Sequence, residues 1–109
     1  MAQISAAEAH AQVGNESVLF LDVRRPDELE AIGKVSAKKY LNIIHTNVSA
    51  EFGKADDDFK VAYAMDKPGV EDEISVYCKA GGRSAMAQNA LIDLGYKNVS
   101  NWVGGYNPA

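Results

Sequence analysis

The sequence predicts an α/β fold, with a mainly parallel central sheet flanked by helices on both faces in one domain over residues 1–109. Three observations carry it. Residues 17–23 are a nearly continuous apolar run, the pattern of a strand covered on both faces. Residues 73–77 alternate polar with β-branched or aromatic side chains, the period-two mark of a second strand. Each run is followed by a helical signal, near residues 26–32 and 84–94, and such alternation joins parallel strands through right-handed crossovers.

At 109 residues the chain can bury one core but not two. Its formal net charge of −4 argues against a nucleic-acid or anionic-membrane surface, so any anion must be attracted locally. The single cysteine excludes an intrachain disulfide, and a free reactive thiol suits a reducing compartment. No apolar run approaches the ~20 residues of a spanning helix, and the N-terminus lacks the layout of a signal peptide. A cytoplasmic, monomeric protein is expected; a trimmed organelle-targeting segment would leave the same sequence.

Ser5 and Glu8 have capping-box spacing, so a scaffolding helix is expected over residues 5–13, stopped by Gly14. The 17–23 strand follows and is expected at the heart of the sheet. Asp22, near its C-terminal end, lies on the side where open α/β sheets bind ligands, although a carboxylate bonded to loop amides or to Arg24 is the simpler reading. Arg24 and Arg25 are adjacent and should face apart, one anchoring Asp22 or Glu28 and the other solvated. Pro26 in the first turn, with Asp27, Glu28 and Glu30 near the positive end, predicts a helix over residues 26–32 ended by Gly33.

Lys34, Lys38 and Lys39 read as a solvated basic loop before a short strand at residues 40–44. Residues 46–69 are polar and irregular except for a helix at 57–65, capped by the aspartates and carrying Phe59, Ala62 and Tyr63 at helical spacing. The run Asp56, Asp57, Asp58 compensates a helix dipole; it lacks the spacing and glycine turn of a Ca²⁺ or Mg²⁺ loop. His10 and His45 have no partner at metal-ligand spacing and read as surface or satisfied side chains, so no metal or cofactor is implied. Pro68 and Gly69 turn the chain into the 73–77 strand. Residues 97–103 form a last strand, with Gly104 and Gly105 behind it.

Cys78 stands at the C-terminal end of the 73–77 strand, followed by Lys79, Ala80, Gly81, Gly82, Arg83 and Ser84 and then the helix at 84–94 that Gly95 ends. Two glycines permit a tight curl whose amides make an anion-binding nest at the positive end of the helix. A thiol that titrates near ~8.5 can fall to roughly 3.5–7.5 in such a place, and Lys79 and Arg83 add positive charge. A lone cysteine at a strand end is commonly an inert small hydrophobe. Two glycines and two cations within five residues favour a reactive thiol here.

Cys78, four intervening residues and Arg83, then Ser84 and a helix, resemble the active-site loop of rhodanese-type sulfurtransferases. The stretch from Leu21 to Leu29 is similar to that family's early "DVR-x-P-x-E" signature. Leu94, Gly95, Tyr96 and Val99, with Gly104 and Gly105 beyond, resemble its "LGY-x-x-V … GG" pattern. Where family members often read "GH-I-x-GA-x-NIP", this chain has Lys34 for the histidine, extra residues and no closing proline. It also ends at Ala109, earlier than many family domains.

The resemblance implies a single rhodanese-like domain and sulfur transfer in two steps. Cys78 attacks the outer sulfur of an anionic donor such as thiosulfate, and a cyanide or thiol acceptor, a protein thiol included, then takes that sulfur from the persulfide. Amides of the 79–84 loop would hold the terminal sulfur, Arg83 would bind the donor's oxyanion and brace the loop, and Lys79 would add local potential. Asp22 and Arg24 would support the site, and Trp102 or Tyr106 could wall it, with core packing the safer role for Trp102. A non-enzymatic sulfur carrier or interaction module of the same fold is the main alternative. Phosphatases and arsenate reductases of the related class use a loop one residue longer.

Overall fold

The structure, a computed structural model, describes residues 2–4, 8, 17–33, 37–79 and 82–102. In chain order these form β1 (Ala2–Ile4), β2 (Leu19–Asp22), α1 (Pro26–Ile32), β3 (Tyr40–Asn42), a 3-10 turn (His45–Asn47), α2 (Val48–Phe52), α3 (Asp56–Tyr63), β4 (Glu73–Tyr77), α4 (Gly82–Asp93) and β5 (Asn98–Trp102). Apart from Glu8, which is helical, the expected helix at residues 5–13, the Lys34 part of the basic loop and the Gly104, Gly105, Tyr106 segment lie outside the described residues.

The five strands pair in parallel in the order β1-β5-β4-β2-β3. The centre is therefore β4, and the 17–23 run, expected at the heart, lies one place off it. Its continuous apolar character is still explained: flanked by β3 and β4, β2 is buried at every position. From β2 the chain moves outward to β3; from β4 it moves the other way to β5. The crevice beyond the C-terminal ends of β2 and β4 is thus the topological switch point, where sheets of this kind bind ligands.

Side chains of β2 alternate across the sheet. Leu19 and Leu21 enter a core with Phe52, Phe59, Leu91 and Tyr96, whereas Phe20 joins Val18, Tyr77 and Trp102 on the other face. Each such large side chain contributes about 1.5–3 kcal/mol through burial. The Trp102 ring stacks on Tyr77 at 4.6 Å, takes the edge of Phe20 at 6.3 Å, and donates its indole N–H to Ser75 Oγ at 2.6 Å. It is fully buried, so packing is its role and not a pocket wall.

Helix α1 has the expected bounds, and Gly33, at φ 95°, ends it in a conformation that disfavours a side chain. The 57–65 helix begins at Asp56 instead. Its N-cap is Ala55, which has no side chain to cap with, so the three aspartates act from the first turn through the helix dipole alone. It stops at Ala64, in the left-handed region at φ 57°. The short elements β1, α2 and the 3-10 turn have no counterpart in the sequence reading, since three to five residues are too few for periodicity to register.

Trp102→Phe removes the indole N–H and leaves the buried Ser75 hydroxyl without that partner. A loss of about 1–3 kcal/mol is expected from urea unfolding followed by circular dichroism; an unchanged midpoint would mean that the bond to Ser75 adds nothing to stability.

Candidate active site

Cys78 is the first residue beyond β4, reduced and 1% exposed. Helix α4 is described from Gly82, two residues before the expected start. Ala80 and Gly81 lie outside the described residues, and Lys79 is exposed. Gly82 is helical, does not have positive φ, and has open space where a Cβ would stand. The expectation that both glycines curl the loop is therefore corrected: Gly82 belongs to the helix.

The chain returns to the thiol through the first turn of α4. The Ser84 hydroxyl is 3.4 Å from Cys78 Sγ and donates to Asn101 Oδ1 on β5 at 2.5 Å; all three residues are buried. A hydroxyl carries one proton. With that proton given to Asn101, it is the Cys78 S–H that donates to Ser84 Oγ, an arrangement suited to the neutral thiol. A thiolate would be served by the same hydroxyl turned toward sulfur, at the positive end of a twelve-residue helix.

Arg83 does not extend into open space. Its two terminal nitrogens donate to the two oxygens of Glu28 on α1, at 2.5 and 2.7 Å, forming a fork across the switch-point crevice. Glu28 also accepts from the Arg25 amide at 3.1 Å. The Arg83 hydrogen bonds hold the Glu28 carboxyl down at about 2, and Glu28 first, then the neighbouring Cys78 sulfur, raise Arg83 above its ordinary value.

Asp22 and Arg24 are both completely buried beside this crevice. Arg24 Nε and a terminal nitrogen meet the two Asp22 oxygens at 2.9 and 2.7 Å, its backbone N–H adds a third bond, and the same terminal nitrogen reaches Gly33 O at 2.7 Å. Tyr40 donates its hydroxyl to Asp22 at 2.9 Å, and the guanidinium lies over the Tyr77 ring at 5.4 Å. Burial works against the charge on Arg24, but Asp22 outweighs it and the pKa is raised. The pair fixes the chain between β2 and α1. Arg25, the other arginine, is 63% exposed and rests on Asp27 and Glu28.

His45 departs from expectation. It is half-buried at the start of the 3-10 turn, and its Nδ1 is buried without a hydrogen-bond partner among the described residues, so it is neither a surface nor a satisfied histidine. Lys38 and Lys39 are exposed. Among the described residues no group of three or more His, Cys, Asp or Glu could hold a metal ion, and no helix is long and apolar enough to cross a membrane. A cavity of about 690 Å³ opens at the opposite end of the sheet, beside Glu73, Ser75, Asn98 and Ser100, and is unrelated to the thiol.

Two residues that shape the site, Glu28 and Asn101, were not singled out for it. Asn101 does leave a signal: it follows Val99 by two on β5 and so occupies a core-facing position with a polar side chain. Glu28 lies within the early signature quoted above, yet nothing in the sequence pairs it with a residue 55 positions away.

A family model for the rhodanese-like domain matches residues 5–108. Thiosulfate sulfurtransferase 18 of Arabidopsis thaliana is 32% identical over 103 residues, 94% of this chain and 72% of its own length. Thiosulfate:glutathione sulfurtransferase of Homo sapiens is 28% identical over 94% of this chain and 88% of its own length. The chain spans 63% and 64% of two longer relatives, a mitochondrial protein of Schizosaccharomyces pombe that is 34% identical over 85% of this chain and a rhodanese-like domain-containing protein of Mus musculus. Among solved structures, the human single-domain sulfurtransferase TSTD1 superposes with a TM-score of 0.83 at 25% identity, covering 97% of this chain and 92% of that one.

Two outcomes are expected. Arg24→Ala, by stranding the Asp22 charge in the interior, costs about 3–5 kcal/mol in urea unfolding. Glu28, lowered in the folded chain from 4.5 to about 2, contributes stability that is complete above 4.5 and lost as pH falls toward 2. Unfolding midpoints measured at neutral pH and near pH ~3 should therefore drop further for the wild type than for Glu28→Gln; equal drops would remove the pair from the stability account.

Proposed function

The chain belongs to the rhodanese-like domain family, and on that premise we propose that it is a sulfurtransferase carrying a sulfane sulfur on Cys78. The donor is anionic, thiosulfate being the simplest case, and the acceptor is cyanide or a thiol. The observation that carries this reading is the setting of Cys78: a reduced thiol at the switch-point edge of the sheet, beside the first turn of α4, within reach of the Ser84 hydroxyl and a braced Arg83.

In the first step the Cys78 thiolate bonds to the outer sulfur of thiosulfate, the sulfur–sulfur bond of the donor breaks, and sulfite leaves with the electron pair. The negative charge then sits on the terminal sulfur of the persulfide, where the positive end of α4 stabilises it. Ser84 turns its proton to whichever sulfur is ionised. In the second step the acceptor bonds to the terminal sulfur and Cys78 leaves as thiolate. One cysteine in the chain means that the persulfide cannot resolve as an internal disulfide, so the acceptor comes from outside, as a small thiol or a protein thiol.

Lys79 and Arg83 supply the positive charge near the thiol in a protein of net charge −4. Four residues between Cys78 and Arg83 favour a sulfane sulfur over the phosphoryl group of the related longer-loop class. Such a thiol suits a reducing compartment.

Intact mass after incubation with thiosulfate and gentle desalting tests the reading. The wild type should gain one sulfur, about 32 Da, that cyanide or a thiol removes, and Cys78→Ser should gain none. Absence of the adduct with thiosulfate and with a low-molecular-weight persulfide would sink the sulfurtransferase and leave a binding module of the same fold.

A further inference from the structure

The fork between Arg83 and Glu28 bears on which donor the site takes. An arginine presenting two parallel N–H groups clasps an oxyanion well. In this protein both terminal nitrogens of Arg83 already bond the two carboxylate oxygens of Glu28, and the Glu28 side chain is 12% exposed. A ligand beside Cys78 meets the guanidinium with a carboxylate behind it, so Glu28 offsets part of the Arg83 charge that the ligand feels. Lys79, the other cation in the 78–84 stretch, stands in solvent, where water and salt weaken it. A donor carrying two negative charges therefore gains little here over a donor carrying one.

We propose that Glu28 is a specificity-determining residue that occupies the Arg83 fork and sets the site for singly charged sulfane-sulfur donors, such as thiosulfonates and low-molecular-weight persulfides, rather than for the thiosulfate dianion. This rests on the sulfurtransferase reading above. The covalent step is the same for each donor: a bond forms between Cys78 Sγ and the sulfane sulfur, the donor's own bond to that sulfur breaks, and the leaving group departs with the pair. Thiosulfate releases sulfite, methanethiosulfonate releases methanesulfinate, and a persulfide releases its thiolate.

Thiosulfate and methanethiosulfonate share a sulfonyl head and differ by one charge, which makes them the probes. Rates of sulfur loading on Cys78 are read by intact mass in single turnovers and divided by the rates of the same donors with the thiolate of 2-mercaptoethanol, which removes intrinsic reactivity. Glu28→Gln keeps an oxygen for Arg83 and the Arg25 amide but loses the charge. It should raise the normalised preference for thiosulfate by about fivefold or more, while Glu28→Asp, which keeps the charge, should shift it by less. A smaller rise in Glu28→Gln, or an equal rise in Glu28→Asp, overturns the proposal. Should Glu28→Gln not fold, the wild type decides: a normalised preference for thiosulfate above about fivefold means that the Arg83 charge is not offset, and the proposal fails. Loading by both donors with an unmoved preference overturns the role of Glu28 alone. No loading by either donor, or by a persulfide, overturns the sulfurtransferase reading and this inference with it.

Discussion

A buried ion pair governs the geometry of the C-terminal edge of the sheet. Asp22 and Arg24 are two residues apart, fully enclosed, and would be strongly destabilising if either stood alone. Each neighbour answers that cost. Tyr40 and the Arg24 backbone satisfy Asp22, Gly33 O and the Tyr77 ring receive the guanidinium, and Asn42 donates to the carbonyls of both Asp22 and Arg24 at 2.9 Å. The pair thereby ties β2, the start and end of α1, and β3 into one unit. The two residues look catalytic from their place in the sheet, but the bonds described for them run to each other and to the neighbouring elements.

The site is assembled from segments that are distant in sequence and brought together by parallel pairing. Register places Asp22 opposite Tyr77, so the residues following each strand, Val23 to Arg25 and Cys78 to Arg83, leave the sheet side by side. Their helices depart in opposite directions, and Glu28 and Arg83 close the gap between them. Asn101 arrives from the other side of β4 and steadies Ser84. Four elements thus meet around one sulfur atom at the end of the central strand.

Much of this was legible in the sequence, for identifiable reasons. Long signals survived: the apolar run of β2, the alternation of β4, Pro26 and Gly33 bracketing α1, and Gly95 ending α4. The division of labour between Arg24 and Arg25 followed from adjacency. What did not show in the sequence was pairing across it. Strand order is decided by contacts between distant runs, so a hydrophobic segment could be recognised as interior but not ranked as central. Glu28 facing Arg83 and Asn101 facing Ser84 are likewise products of the crossover. Gly82 misled because glycine is permitted, not obliged, to leave helical space. His45 misled because a histidine with no metal-like neighbours in sequence can still be enclosed by the fold.

The two edges of the sheet are its shortest strands, β1 and β3, at three residues each. An edge of that length offers an approaching chain few unpaired amides and carbonyls, whereas the five-residue strands that could template a longer ladder are held inside. Strand lengths that rise toward the middle therefore do a second job beyond positioning Cys78: they discourage the sheet from growing by recruiting other molecules.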